Sequence, residues 1–272
     1  MTRTPRVAVF RPDDDRIRDA AALLESLGAT PVPDPMLAVE ATGAVPDPAE
    51  FVVFTSKTGV ELADEARWRP DDAGEDVVLV AIGPATADAA RAVGWSVDVV
   101  PGEYTSAGLV EALQDRVDGR TVEVARSDHG SPVLLEGLGE AGATVHETIL
   151  YRLVRPDGAG ESAERAAAGE LEAAAFTSSL TVEHFLEAAD ERGCREAALA
   201  GLDRAVVGAI GDPTAEAARE LGIDVDVIPG EATFEALARA VVDAVDAADT
   251  ADVTDAVDAA DTADVTDANG SD

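Results

Sequence analysis

The chain has 272 residues, of which 55 are acidic and 20 basic, so its formal net charge at pH 7 is −35. This length accommodates two domains of about 110–120 residues, each with its own core. The acidic excess argues against a nucleic-acid partner, because no basic patch is present to displace counterions from a phosphate backbone. Lys57 is the only lysine and aromatic residues make up 4% of the chain, a composition typical of a halophilic protein dissolved in concentrated salt.

Membrane and secretion signals are not found in the sequence. No segment approaches the roughly 18 apolar residues that a membrane span requires, and residues 1–10 lack the apolar stretch of a signal peptide. The single cysteine, Cys194, excludes an internal disulfide framework and is interpreted as an inert thiol in a reducing compartment. We therefore expect a cytoplasmic protein.

The first predicted elements form a β-α-β unit. Residues 6–10 are an apolar run typical of a strand, an amphipathic helix follows to about Leu27, and residues 30–33 are predicted as the second strand. Between the first strand and the helix lies the triplet Asp13–Asp15. We interpret the triplet as a solvated helix start, with an acidic metal pocket of the receiver-domain type as the alternative.

The same unit recurs further along the chain. Residues 121–145 repeat the β-α-β pattern, with Ser131 and Pro132 as the predicted N-cap and first residue of the helix. Two longer segments also correspond: residues 51–62 resemble 173–186, and residues 77–113 align without a gap with 205–241, sharing about half of their residues.

Strands alternating with helices of 8–14 residues predict an α/β protein with two similar doubly wound parallel-sheet lobes. Within the long repeats, VDVV and VDVI are read as further strands. Residues 36–41 and 147–156 fall outside the repeat and have extended character, so we predict that they pair as a two-stranded linker between the lobes. Two similar lobes are expected to face a single cleft.

Candidate ligand-binding residues stand where strands end and helices begin. In doubly wound sheets, ligands bind beyond the carboxyl ends of the strands, where free N–H groups and the helix dipole favour anions. The residues at these places are Thr55, Ser56, Lys57, Gly83, Thr86, Thr177, Ser178, Gly211 and Thr214. Each opening is explained either by helix capping alone or by anion binding, and both interpretations remain open here. Lys57 gains weight because lysine is absent elsewhere.

Several other functions lack their motifs. No glycine-rich phosphate loop follows the first strand, so nucleotide binding has little support. The three histidines, at positions 129, 146 and 184, do not have the spacing of a metal site. The residues therefore favour neither a nucleotide site nor a zinc site.

In this order and spacing, the motifs resemble those of the uroporphyrinogen-III synthase family. They are VAVFRP near the start, FTSKTGV, AIGPATADAARAVG with PGEYTSAGL, HETILYRL, AFTSSLTVEHF, and AIGDPTAEAARELG with PGEATFEAL. No single motif is diagnostic, but together they cover nearly all of residues 5–245.

The resemblance implies a discontinuous first lobe. Residues 1–35 and 157–245 would form one lobe and residues 39–153 the other, with 36–38 and 154–156 as linkers. Sequence adjacency alone favours two continuous halves. Residues 246–272 contain an imperfect acidic repeat and are predicted to be a disordered tail.

The resemblance also implies an activity: closure of linear hydroxymethylbilane to uroporphyrinogen III with inversion of ring D and loss of water, without a cofactor. The expected general acid is a tyrosine that corresponds to Tyr151, although this ring could equally serve only to pack the linker strand. Thr55, Ser56, Thr86, Thr177, Ser178 and Thr214 match the family's substrate-binding positions. Lys57, Arg11 and Arg126 are further candidates for substrate carboxylates, whereas Asp212 departs from the family pattern and places a carboxylate near an expected anion site.

One alternative from another class remains: a non-enzymatic two-lobed protein, binding or regulatory, that closes over a small anion. It explains the duplication and the cleft, but not the ordered motifs. Self-repulsion at this net charge favours a monomer. Because the substrate would also be a polyanion, we expect activity and folding to require molar salt.

Overall fold

A computed structural model describes residues 4–248 and residue 250. The chain divides into two compact units: unit 1 is Met1–Ala38 with Arg155–Asp272, and unit 2 is Val39–Val154. Each unit contains a sheet between layers of helices, so the predicted fold class is confirmed. The single cleft expected from the duplication stays a prediction.

Unit 1 is built on a four-stranded sheet in the order β2-β1-β8-β9, with every neighbouring pair parallel. Its elements are β1 (Arg6–Phe10), α1 (Asp15–Ser26), β2 (Thr30–Pro33), α7 (Glu161–Ala167), β8 (Ala173–Phe176), α8 (Ser179–Glu191), α9 (Arg195–Leu202), β9 (Val206–Ala209), α10 (Asp212–Glu220) and α11 (residues 234–248).

Unit 2 is built on a five-stranded sheet in the order β3-β7-β6-β4-β5. Its elements are β3 (Ala38–Ala41), β4 (Phe51–Phe54), α2 (Lys57–Glu65), α3 (Pro70–Ala73), β5 (Val78–Ala81), α4 (Pro84–Ala92), α5 (Ser106–Leu113), β6 (Thr121–Ser127), α6 (Pro132–Glu140) and β7 (Thr144–Val154). The predicted pairing of the stretches 36–41 and 147–156 is confirmed, because β3 is the neighbour of β7.

Both faces of each sheet are buried, which explains why the strands are continuous apolar runs. In β1, Val7 and Val9 pack with α1 and α11, whereas Ala8 and Phe10 pack with α7 and α8 on the opposite face. The core strands of the second sheet alternate in the same way. Helices therefore cover both faces of each sheet, and we expect the ligand-binding groups at the sheet edges.

Two sequence expectations need correction. The segments VDVV and VDVI do not form strands but make single bridges, Val80 to Val99 and Gly208 to Val227. The physical reason is that an aspartate side chain replaces part of the ladder: Asp98 Oδ2 accepts from the Leu79 N–H at 2.8 Å. Asp226 does the same for Val207 in unit 1, also at 2.8 Å.

The first three residues of the predicted tail, 246–248, belong to helix α11. Helix α11 continues to residue 248, because Val242 and Val245 are buried against unit 1 and keep the helix in place past residue 245. Of the remaining tail, residues 249 and 251–272 lie outside the described residues.

Candidate functional site

The candidate site in each unit is set by a reversal in strand order. In unit 1 the chain moves outward from β1 to β2 and in the opposite direction from β8 to β9, so the reversal falls between β1 and β8. In unit 2 it falls between β6 and β4. Helices that follow these neighbouring strands leave on opposite faces, which opens a crevice at the carboxyl edge of the sheet. The predicted site residues lie at these edges.

The FTS turns (residues 54–56 and 176–178) join the strands β4 and β8 to the helices that follow. Ser56 is the N-cap of α2 and its Oγ accepts from the Gly59 N–H at 2.9 Å. Ser178 caps α8, with its Oγ 3.3 Å from the Thr181 nitrogen. Each serine satisfies one of the four N–H groups that a helix start leaves without an intrahelical partner, so the other groups of the first turn remain as donors.

The neighbouring threonines tie the turns to the central strand. Thr177 Oγ1 donates to the Phe10 carbonyl at 2.6 Å, and the Thr55 N–H donates to the Ala125 carbonyl at 3.4 Å. Both contacts join corresponding strands, β8 to β1 and β4 to β6. They hold the turn at the point of strand reversal.

The AIG turns (residues 81–83 and 209–211) are the second pair of predicted helix openings. Gly83 and Gly211 are the N-caps of α4 and α10, and neither helix start has a side-chain cap hydrogen bond. Thr86 and Thr214 are both buried, with 4% exposure. Uncapped helix starts are the ones best able to receive an external anion, since no side chain competes for their N–H groups.

Two features distinguish the AIG turns from each other. In unit 1, Asp212 is the exposed first residue of α10, so a carboxylate already occupies the positive end of the helix dipole. In unit 2, the side chain of Tyr104, 60% exposed, lies so close to Gly83 that an added Cβ would be 3.3 Å from it. The sequence analysis did not select Tyr104, although the scarcity of tyrosine, with two in the whole chain, was a signal.

Tyr151 lies on β7 opposite Ser127 of β6 and is 7% exposed. Its hydroxyl donates to Ser56 Oγ at 3.0 Å, and this oxygen is the one that caps α2. The structure therefore brings two residues predicted separately, Tyr151 and Ser56, into direct contact across 95 positions of sequence. A proton donor stands at the start of a helix that favours negative charge.

The two predicted cations of unit 2 have carboxylate partners. Arg126, with 5% exposure, is in an ion pair with Glu147 and also donates to the Ser131 carbonyl. Lys57 is exposed and its Nζ lies 3.2 Å from Glu61 on the next turn of α2. The structure thus places Lys57 beside the FTS turn of unit 2, while the Arg126 guanidinium is directed at protein groups.

One pocket of unit 2 lies away from this edge. A pocket of about 630 Å³ is lined by Glu50, Phe51, Val78, Arg116 and Arg120, which stand at or near the amino ends of the strands. Because ligands of doubly wound sheets bind beyond the carboxyl ends, we place the candidate site at the carboxyl edge.

The described residues lack the signatures of a metal site and of a membrane-spanning helix. No group of three or more His, Cys, Asp or Glu side chains that could hold a metal ion occurs within residues 4–248. In the same part of the chain, none of the helices combines the length and apolar character needed to span a bilayer.

Taken together, fold and edge geometry define a protein of two doubly wound α/β units, with helix starts at the carboxyl edges that lack a side-chain cap and with a buried tyrosine. The sequence model of the family described as uroporphyrinogen-III synthase HemD matches residues 18–239. The chain belongs to the uroporphyrinogen-III synthase family.

Individual relatives agree with this membership. A Methanothermobacter thermautotrophicus protein, provisionally named a uroporphyrinogen-III synthase, is 33% identical over 230 residues, which are 80% of this chain and 90% of the relative. The uroporphyrinogen-III synthase of Chlorobaculum parvum is 26% identical and covers 82% of this chain and 92% of its own length. A crystal structure of a mutant uroporphyrinogen III synthase from the extremely thermophilic bacterium Thermus thermophilus covers 86% of this chain and 96% of its own, with 23% identity and a TM-score of 0.60. That likeness shows the shared fold.

Proposed function

We propose that this chain closes hydroxymethylbilane to uroporphyrinogen III, with inversion of ring D and release of one water, in tetrapyrrole biosynthesis. Membership of the family carries the proposal. The contact between Tyr151 and Ser56 supports it, because it places a hydroxyl donor at a helix start on the carboxyl edge of the sheet.

In the proposed reaction, the hydroxyl of the ring A hydroxymethyl group leaves with a proton from Tyr151, which forms water and an electrophilic azafulvene. The substituted carbon of ring D attacks the azafulvene and gives a spiro intermediate, which fragments and recloses with the ring reversed. The proton lost as the last pyrrole regains aromaticity returns to the Tyr151 oxygen, so the net change is the loss of one water. Because the bilane also cyclises unaided to isomer I, positioning is the main contribution and acid catalysis the smaller one.

Carboxylate recognition is assigned to the helix starts. The uncapped AIG turns at Gly83 and Gly211 offer backbone N–H groups, with Thr86 and Thr214 in the first turns behind them. The FTS turns offer further donors, at Thr55 and Ser56 and at Thr177 and Ser178. Lys57 adds a cation at the start of α2, on an exposed side chain that can exchange Glu61 for a substrate carboxylate.

The test is incubation of the protein with enzymatically generated hydroxymethylbilane, followed by oxidation and chromatographic separation of the isomers. Isomer III in excess over the protein-free reaction is expected. Isomer I alone would refute the synthase activity and favour the alternative, a two-unit protein that binds a small anion without catalysis.

The proposal extends to the state of the protein in solution. A net charge of −35 favours a monomer through self-repulsion, and the acidic, lysine-poor composition fits a salt-rich cytoplasm. Sedimentation in KCl at about 2 M and about 0.2 M tests whether the protein is a monomer. A stable dimer at high salt, where the repulsion is screened, would contradict the monomer.

A further inference from the structure

Arg11 and Arg126 occupy corresponding positions of the duplicated unit. Arg11 follows β1, five residues after Arg6, which pairs with Thr30. Arg126 comes five residues after Thr121, which pairs with Thr144. The two arginines are thus at the same place on the carboxyl edge, each at the end of the central strand beside an FTS turn.

Their surroundings differ in one decisive respect. Arg126 is neutralised by Glu147 of the neighbouring strand. The position in unit 1 that corresponds to Glu147 is Pro33, which carries no charge. Arg11 therefore lacks the carboxylate that its counterpart has.

No other group of the described residues replaces that carboxylate. The Arg11 guanidinium carbon lies 5.1 Å from the ring centroid of Phe234, at the start of α11, and this ring holds the side chain by a cation–π contact. Arg11 Nε is buried and has no hydrogen-bond partner within residues 4–248. A guanidinium has five N–H donors, and a buried donor without a hydrogen bond lowers the stability of the folded protein.

The nearby charges do not compensate. Asp14 is the acid whose charge acts on Arg11, but both of its carboxylate oxygens accept from Arg16. Burial is the main cause that lowers the pKa of Arg11, the positive charge of Arg16 adds to it, and Asp14 opposes it. Arg11 is a partly desolvated cation, in an acidic chain, that forms no ion pair with an acid among the described residues.

Its place on the edge of the sheet fits an external anion. Thr177 Oγ1 donates to the carbonyl of Phe10, the residue before Arg11, so the backbone that carries Arg11 lies at the strand reversal of unit 1. We infer that Arg11 binds a carboxylate of the substrate in unit 1, as a specificity-determining residue, whereas Arg126 positions the loop of unit 2. This inference rests on the proposed function.

The test compares three variants in KCl at one fixed molar concentration. Arg11→Met keeps the contact with Phe234 and removes the charge, and Arg11→Lys keeps the charge without the planar fork. Arg116→Met is the matched control, because its guanidinium also lies over a ring, 5.7 Å from the Phe51 centroid, but at the amino edge. For the parent and each variant, the measured quantities are KM and kcat for hydroxymethylbilane and the ratio of the product isomers.

We expect Arg11→Met to raise KM by about 10-fold or more, the size of one hydrogen-bonded charge, with a smaller change in kcat. Arg11→Lys should recover part of the loss, and Arg116→Met should stay within about 2-fold of the parent, as surface substitutions do. Equal KM for Arg11→Met and the parent would overturn the inference, and so would an equal effect of Arg116→Met.

A binding measurement separates this inference from the proposed function. Fluorescence titration with uroporphyrin III, an octacarboxylate, gives a dissociation constant without any turnover. A parent protein that forms only isomer I would refute the synthase activity, while weaker porphyrin binding by folded Arg11→Met would still support the carboxylate site. Equal dissociation constants for the two proteins would refute the site.

Discussion

Tyr151 and Leu37 hold corresponding positions, seven residues after the threonines that open β7 and β2. Tyr151 lies opposite Ser127 and Leu37 opposite Pro12 in the same parallel register. Duplication has therefore kept the backbone while the side chains diverged, and the hydroxyl is present in unit 2 alone. At the residue scale the two units differ at this position, so only unit 2 has the candidate general acid.

Replacing Tyr151 by phenylalanine should lower kcat on the order of 10²-fold, the lower range for a general acid, because the bilane loses hydroxide unaided as well. The product should remain isomer III, since positioning is retained. Steady-state kinetics with isomer analysis provide the measurement.

Ser56→Ala is the matched companion variant. It removes the acceptor of the tyrosine hydroxyl and the cap of α2 but keeps the acid, so we expect a loss of about 1 kcal/mol in stability and a smaller fall in kcat. An unchanged kcat in Tyr151→Phe would mean that the ring only packs the strand.

Glu123 is a second residue-scale difference, because its counterpart in β1 is Ala8. The Glu123 side chain is 1% exposed and its Oε1 has no hydrogen-bond partner in the described part of the chain. Burial is the main cause that raises the pKa of Glu123, helped by the charge of Asp47 and opposed by a hydrogen bond from Thr148.

A raised pKa in the folded state means that the native protein binds this proton more tightly than the unfolded chain does. Stability is therefore lost as pH rises from the unfolded pKa through the folded one. Glu123→Gln should be more stable than the parent at about pH 7 by about 1 kcal/mol, and this advantage should vanish toward about pH 4. Urea unfolding at both pH values, at constant salt, tests this; a variant that is less stable at neutral pH would contradict it.

At the element scale, helix α7 depends on a cap that is distant in sequence. Its N-cap, Gly160, has a φ of 112°, which favours glycine, and an added Cβ would lie 2.6 Å from Ala188. The cap comes instead from buried Asp34, just after β2, whose Oδ2 accepts from the Ser162 N–H at 2.8 Å. This contact joins the N-terminal and C-terminal segments of unit 1.

Asp34→Ala should therefore destabilise the protein by about 3 kcal/mol, because it leaves buried N–H groups of Gly160 and Ser162 without an acceptor. The control is Asp14→Ala, which removes an exposed cap of α1 and should cost about 0.5–1 kcal/mol. Chemical denaturation of both variants provides the comparison. Equal losses would show that the contact across unit 1 contributes no more than an ordinary cap.

At the scale of the whole molecule, the negative charge of the protein opposes the binding of an anionic substrate. The protein carries −35 and the proposed substrate eight carboxylates, while most of the described arginines are paired with acids. Long-range repulsion of the substrate must be screened by salt, because the Debye length falls from about 10 Å at 0.1 M to about 3 Å at 1 M.

We expect kcat/KM and the free energy of unfolding to rise between about 0.1 and about 2 M KCl, as the screening length shortens. Both are measured across that range with the fold followed by circular dichroism. Values of kcat/KM that are flat or falling, with the fold intact throughout, would contradict the expectation.

The amino-acid sequence by itself determined the duplicated α/β units, the helix starts at Ser56, Gly83, Ser178 and Gly211, and the net charge, because apolar runs, caps and turn residues are local signals. It could not determine which arginine is neutralised, since Arg126 and Glu147 meet only through strand pairing, nor that Tyr151 would donate to Ser56. It also left the cap of α7 unseen, because Asp34 and Ser162 are 128 positions apart. Only the tertiary structure decided these contacts, since they depend on the register and packing of elements that are distant along the chain.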